Sequence, residues 1–146
     1  KTAYEISLGL VGSEMCIRDS SSGICFYAFM AFTLKEIRRM LVAATGLDYR
    51  SEHELELAGE RIYNLTRLFN VREGFKARDD LLPRKFVEEP LPEGPAKGST
   101  VPLRRMLEEY YTLRGWDENG IPRRSKIVEL GLHELLPGVL DISAPG

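Results

Sequence analysis

The 146-residue chain carries only two cysteines, two histidines and one tryptophan. Cys16 and Cys25 are too few to define a disulfide framework, and such scarcity fits a reducing, cytoplasmic compartment. Long hydrophobic runs are also missing. The longest, over residues 24–32, falls far short of the roughly 20 residues that span a bilayer. Residues 6–11 are partly apolar, yet Glu5 and Glu14 flank them and Lys1 is the only early cation, which argues against a secretory leader. Neither sign of charge dominates: the formal net charge is -2, with no global attraction to nucleic acid or an anionic membrane. There is no glycine-rich phosphate loop, no zinc-ligand spacing and no defensible Ser-His-Asp set. No alternating apolar pattern of useful length marks a strand, and no internal repeat appears. These absences leave a soluble, all-α chain long enough for one modest domain.

What is present is helical punctuation. Thr33-Leu-Lys-Glu36 has the form of a capping box, and Leu34, Ile37, Leu41 and Ala44 follow on one face before Gly46 stops the helix. Ser51-Glu-His-Glu54 repeats the start signal. Leu55, Ala58, Ile62, Leu65 and Phe69 then recur at steps of three and four, so the spacing predicts an apolar stripe along a helix ending near Gly74. Arg61 and Arg67 fall off that stripe and are expected to stay solvated.

Beyond Gly74, Pro83, Pro90, Pro92, Pro95 and Pro102 forbid a long helix. Phe75, Leu81, Leu82, Phe86, Val87 and Leu91 supply more apolar anchors than a solvated linker needs, so this stretch reads as an ordered loop. A third helix is expected from Leu103 to Arg114 with Leu103, Met106, Leu107, Tyr110 and Leu113 inward, closed by Gly115. A short helix carrying Ile127 and Leu130 precedes Gly131, and the tail from residue 133 onward reads as irregular.

Candidates for chemistry are few. His53 lies among Glu52, Glu54 and Glu56 and reads as a surface residue, as does His133. Asp79 and Asp80 are adjacent; a catalytic acid–base pair needs contrasting environments, so they read as loop or cap acceptors. Arg72 and Glu73 suit a helix-end packing network, with a place lining a substrate passage as the alternative. Tyr110, Tyr111 and Trp116 read as core-closing aromatics. Cys25, in Ser20-Ser-Ser-Gly-Ile-Cys25, reads by itself as a small buried hydrophobe. An iron–sulfur cluster needs several thiolates, which this chain does not supply alone.

The stretch Gly59-Glu-Arg-Ile-Tyr-Asn-Leu-Thr-Arg-Leu-Phe-Asn-Val-Arg-Glu-Gly-Phe75, with Asp79-Asp80, Leu82-Pro83 and Glu88-Glu-Pro-Leu-Pro-Glu-Gly-Pro95, closely resembles the C-terminal domain of the aldehyde ferredoxin oxidoreductases. Met106-Leu-Glu-Glu-Tyr-Tyr-Thr-Leu-Arg-Gly-Trp-Asp-Glu-Asn-Gly-Ile-Pro122 extends the resemblance. It implies an irregular all-α domain with a long proline-rich ordered loop. For the intact parent it implies oxidation of a small aldehyde to a carboxylic acid at a tungsten or molybdenum bis-pterin, with electrons passing through a 4Fe-4S cluster to ferredoxin. Neither nucleic acid nor membrane is an expected partner, and homo-oligomers remain open.

The family's Asp-x-x-Gly-Leu-Cys pattern is matched by Gly23, Ile24 and Cys25, with Ile for Leu. The resemblance therefore implies cofactor binding by Gly23, Ile24 and Cys25, with Cys25 ligating the cluster beside a cysteine trio farther upstream. No catalytic residue is assigned. Ser20 stands where the pattern has aspartate, and Asp19 is one place early, which leaves the pterin half of the motif without support.

Residues 1–20, ending Leu8-Gly-Leu-Val-Gly-Ser-Glu-Met-Cys-Ile-Arg-Asp-Ser20, resemble a translated sequencing adapter. The expected organisation is thus residues 1–20 outside the domain and residues 21–146 as a partial C-terminal domain, inactive alone. Two other readings stand beside it: the catalytic subunit of a dearomatising benzoyl-coenzyme A reductase of the same family, and a cofactor-free helical interaction module.

Overall fold

The computed structural model describes residues 31–144. They form helices α1 (Leu34–Thr45), α2 (Glu52–Arg72), α3 (Arg84–Glu88), α4 (Leu103–Arg114), α5 (Arg124–Glu129) and α6 (Leu132–Leu135). Single 3₁₀ turns occupy Ala77–Asp79 and Val139–Asp141. Among the described residues, β pairing is confined to isolated bridges, Trp116 with Pro122 and Arg123 with Ala144. The all-α expectation holds.

Local sequence chemistry sets the helix ends. The Thr33 hydroxyl accepts from the Glu36 amide while the Glu36 carboxylate accepts from the Thr33 amide at 2.7 Å, closing the capping box. Gly46 ends α1 at φ 71°, a conformation that costs a residue with a Cβ but not glycine. At α2 the Ser51 hydroxyl accepts from the Glu54 amide, but Glu54 reaches back to the Arg50 amide, one residue before the cap. The box is shifted there: it satisfies one orphan N–H of the helix, that of Glu54, and the Arg50 amide just ahead of the cap.

The expected faces are covered in part: Leu34 and Leu41 on α1, Leu55, Ala58 and Ile62 on α2, and Leu103, Met106, Leu107 and Tyr110 on α4 are half-buried, while the last members of each stripe are not. On α1, Ile37 is buried, whereas Ala44 is exposed. On α2 the buried positions are Gly59, Asn64, Arg67, Leu68 and Val71, while Leu65 and Phe69 of the predicted stripe are exposed. On α4, Tyr111 and Arg114 are buried and Leu113 faces out. On α2 and α4 residues outside the helix decide this: Leu68 meets the C-terminal segment, and Asn64, Arg67 and Tyr111 meet Trp116 and Gly120 of the following turn.

The apolar core joins α2 to the tail. Leu68, Ile127, Leu130, Leu132 and Val139 form it, with Leu57, Leu136, Leu140 and Ile142 packed against it. The tail is therefore not irregular: α6 and the 3₁₀ turn fold back across α5. The Ala144 amide donates to the Pro122 carbonyl at 3.0 Å, and the Arg124 amide donates to Ala144, clipping the end of the chain to the start of α5.

The proline-rich stretch is ordered, but not by the apolar side chains expected to anchor it. Phe75, Leu81, Leu82, Phe86 and Leu91 are exposed, and Val87 is half-buried. Backbone bonds hold it instead, including Ala77 N–H to Asn119 O at 2.9 Å, Val101 N–H to Phe86 O at 2.9 Å, and Leu91 N–H to Ser99 O at 3.0 Å.

This burial pattern gives a contrast. Ile127→Ala should destabilise the chain by about 2–5 kcal/mol in urea unfolding. Leu113→Ala, equally apolar but largely exposed, should change stability by less than about 0.5 kcal/mol.

Candidate functional site

The densest chemistry among the described residues lies on the inner face of α2. Glu60, Asn64, Arg67 and Val71 recur at helical spacing, and three of these four are polar. Arg67 was expected in solvent. It is buried, and its guanidinium forks onto Asp80, Nη1 to Oδ1 at 2.8 Å and Nη2 to Oδ2 at 2.6 Å, while Nε donates to the Gly120 carbonyl at 2.7 Å. The Tyr111 hydroxyl donates to Asp80 Oδ2 at 2.5 Å. One carboxylate thus ties α2, the proline-rich segment and α4 together, and the same arginine reaches the 116–122 turn.

Titration follows from these contacts. Burial alone would raise the Asp80 pKa, but the hydrogen bonds from Arg67 and Tyr111 outweigh it and hold the carboxyl below its ordinary value. Burial, then the bond to the Asp80 carboxylate, pushes the Tyr111 phenol above its ordinary value. Burial would lower the Arg67 pKa, yet pairing with Asp80 raises it, so the guanidinium stays charged. A committed carboxylate beside a reluctant phenol makes a clamp and not an acid–base pair.

The turn is shaped to receive the clamp. The Asp117 carboxylate accepts from the Asn119 amide at 2.9 Å and the Ile121 amide at 2.8 Å, which curls the chain so that Gly120 presents its carbonyl to Arg67. Gly120 sits at φ 70°, and a Cβ there would stand 2.3 Å from Arg67 Nη2 and 3.0 Å from the Tyr111 ring. Only glycine fits both the backbone and the space.

Trp116 is the floor of the cluster. Tyr63 stacks on it at 5.7 Å with 9° between planes, and Tyr110 meets it edge-on at 5.7 Å. Arg67 lies 5.0 Å and Arg114 5.9 Å from the ring centroid, within cation–π reach. Its Nε1 donates to Asn64 Oδ1 at 2.8 Å, and Asn64 Nδ2 donates to the Glu60 carbonyl at 2.9 Å. Arg114 Nη1 donates to Glu60 Oε1 at 2.8 Å while its guanidinium covers Tyr63 at 4.2 Å. The Tyr63 and Tyr110 hydroxyls are hydrogen-bonded to each other. The core-closing role expected of Tyr110, Tyr111 and Trp116 is what the structure shows.

The remaining candidates separate. His53 is exposed and near Glu56, His133 is half-buried, and Arg61 is exposed yet donates from Nε to the Leu130 carbonyl. Asp79 accepts from the Lys76 amide at 2.9 Å, as a cap acceptor should. Arg72 and Glu73 pair with each other at the end of α2, and Arg72 lies over Phe69. Asn64 and the Arg67–Asp80 pair were missed. Glu60, Asn64 and Arg67 do share one helical period, but no local pattern pairs Arg67 with Asp80 or buries either.

Gly23, Ile24 and Cys25 lie outside the described residues. Among the described residues there is no cysteine, and no group of three or more His, Cys, Asp or Glu is placed to hold a metal ion. The described donor set therefore does not fit a cluster, and no chemical step is assigned to it. No described helix is long and apolar enough to cross a membrane.

Two outcomes follow. Gly120→Ala should destabilise the chain by about 3 kcal/mol in chemical unfolding, because left-handed strain adds to the clash with Arg67. Asp80 has a lowered folded pKa, so its contribution is complete above the ordinary carboxylate value of 3.8 and is lost as pH falls through the lower folded value. Asp80→Asn should flatten the acid limb of stability measured from pH 5 downward, on the order of 2 kcal/mol being lost at neutral pH with the charge-assisted hydrogen bonds.

The family model described as aldehyde ferredoxin oxidoreductase, domains 2 and 3, matches residues 13–132. A tungsten-containing aldehyde ferredoxin oxidoreductase of Pyrococcus furiosus is 48% identical over 131 residues, covering 89% of this chain and 22% of the relative. Its counterpart in Thermococcus kodakarensis is 46% identical over 117 residues, 80% of this chain and 19% of the relative. A P. furiosus protein described as an aliphatic sulfonate oxidoreductase, WOR-like subunit, is 34% identical over 100 residues, 63% of this chain and 16% of the relative. The chain spans about a fifth of the length of the curated tungsten relatives it matches. With a family match over most of its length, and with the brace of Arg67, Asp80, Tyr111, Trp116 and Gly120 built from the stretches that carry the resemblance, the chain belongs to the aldehyde ferredoxin oxidoreductase family.

Proposed function

We propose that the intact protein oxidises a small aldehyde to the carboxylic acid in the cytoplasm, and that this chain is part of its C-terminal helical region. The observation that carries this reading is 48% identity to a tungsten-containing aldehyde ferredoxin oxidoreductase across 89% of the chain. The lower identity, 34%, to the sulfonate oxidoreductase subunit favours the aldehyde reading. In the overall reaction an aldehyde and a water give a carboxylic acid, two protons and two electrons. The electrons leave one at a time to ferredoxin. A tungsten or molybdenum bis-pterin and a 4Fe-4S cluster would supply the redox chemistry when bound.

In this reading Cys25 is a ligand of the 4Fe-4S cluster, and Gly23 and Ile24 bring backbone close to the pterin. Residues 21–146 are the partial domain, inactive alone. The family match starts at residue 13, within the segment that resembles adapter sequence. The part of the described residues is mechanical: the Arg67–Asp80 clamp and the Trp116 floor hold α2 and α4 rigid, as a site requires of the elements that support it.

The test is metal and sulfide analysis of the intact gene product. About four irons and four sulfides per chain, with tungsten or molybdenum, are expected. Cys25→Ser should lose the cluster's visible absorbance and aldehyde-dependent ferredoxin reduction while keeping its helical circular dichroism. Intact protein free of iron and sulfide would overturn the reading.

A further inference from the structure

Of the three asparagines, only Asn119 precedes a glycine, and only Asn119 is exposed to water. Such a step is chemically unstable, because a glycine nitrogen has no neighbouring Cβ to keep it from the asparagine side-chain carbon. The Gly120 nitrogen gives up its proton to water and bonds to Asn119 Cγ, and ammonia leaves from that carbon. Water then opens the resulting imide ring at one of its two carbonyls. One opening gives aspartate. The other gives isoaspartate, whose main chain runs through the former side chain and is one methylene longer. In balance, an amide and a water become a carboxylate and an ammonium ion. The fold ties up both reacting groups. The Gly120 N–H donates to the Asp117 carbonyl at 3.0 Å, and Asn119 Nδ2 donates to the Asp117 carboxylate at 3.3 Å. The backbone on either side is pinned as well, since the Asn119 carbonyl accepts from the Ala77 amide at 2.9 Å and the Gly120 carbonyl from Arg67 Nε at 2.7 Å. Ring closure requires the peptide between Asn119 and Gly120 to turn, which breaks its bonds to Asp117 and Ala77 together.

We propose that Asn119 is a site of spontaneous deamidation gated by the Arg67–Asp80 clamp, and that isoaspartate formed there locks the clamp open. While Asp80 holds Arg67, Arg67 holds Gly120, and the turn reacts only in the fraction of molecules that has locally opened. The isoaspartyl product does not refit the turn. A single Cβ added at Gly120 would already stand 2.3 Å from Arg67 Nη2, so an extra main-chain atom beside it has no room and moves the Gly120 carbonyl off the guanidinium. The former Asn119 carbonyl becomes a free carboxylate next to Asp117 and Glu118, which adds like charge to the turn. Hydrolysis in water runs one way, so each opening that reacts removes one molecule from the clamped population for good.

The test follows Asn119 in the intact gene product during incubation at mildly alkaline pH. The tryptic peptide of residues 115–123 reports conversion by the mass gain of amide to acid, and an isoaspartyl methyltransferase labels the isomerised product. Asn119 should deamidate at least about tenfold more slowly than in the free peptide Trp-Asp-Glu-Asn-Gly-Ile-Pro. Asp80→Asn should raise the rate in the protein at least about fivefold, and Tyr111→Phe, which removes one bond to Asp80 and keeps the Arg67 fork, about twofold. Circular dichroism shows whether each variant keeps its helices; if Asp80→Asn does not, Tyr111→Phe decides. Protein enriched in isoaspartate should unfold at lower urea than the Asn119→Asp variant, which has the other product's side chain on an unaltered main chain. A native rate equal to that of the peptide overturns the proposal, as do folded clamp variants that react no faster than the native protein. Equal unfolding of the isoaspartyl and Asn119→Asp forms overturns the lock.

Discussion

The described structure depends on one buried ion pair. Arg67 is the point where α2, the proline-rich segment and the 116–122 turn meet, and Asp80 adds α4 through Tyr111. A bidentate fork fixes distance and orientation together, which a lysine in the same place could not do. Burying the two charges is costly, and their attraction repays this only with full hydrogen bonding. Here the guanidinium forks onto both carboxylate oxygens and reaches a backbone carbonyl as well. The net stabilisation of such a pair is small beside the cost of breaking it. Its main effect is to select one arrangement of four chain segments.

The aromatic floor supports that selection. Trp116 offers two faces and an edge, and Tyr63, Tyr110, Tyr111, Arg67 and Arg114 occupy them. The polar tips of the rings find partners within the same cluster, Trp116 Nε1 on Asn64, the Tyr111 hydroxyl on Asp80, and the Tyr63 and Tyr110 hydroxyls on each other. The apolar core lies farther along the chain, where Leu68 of α2 meets α5, α6 and the tail. The inner face of α2 thus serves two neighbours of different chemistry, which is why it carries asparagine and arginine beside leucine and valine.

Helix positions were legible because their signals are local. The Thr33 capping box and the glycines at positions 46 and 115 act within a few residues of chain, and both bounds of α1 and the end of α4 follow from them. The inward face of α2 was not legible, because periodicity reports where apolar residues lie and not what covers them. Leu65 and Phe69 satisfy the helical period and still face outward. The order of the proline-rich segment was foreseen for an incorrect reason: its apolar residues point away, and backbone bonds to Asn119 and Val101 hold it. The tail was misread because single-turn helices leave almost no periodic trace.

The sequence by itself determined the helical class, the starts and stops of the long helices, and the family resemblance, since all three are carried by short stretches of neighbouring residues. Only the tertiary structure decided that Arg67 is buried, that Asp80 is its partner, and that Gly120 must lack a side chain. Those facts join residues 13 and 53 positions apart. A charged side chain chooses burial over water only where folding brings its partners within hydrogen-bond reach, and no local pattern carries that information.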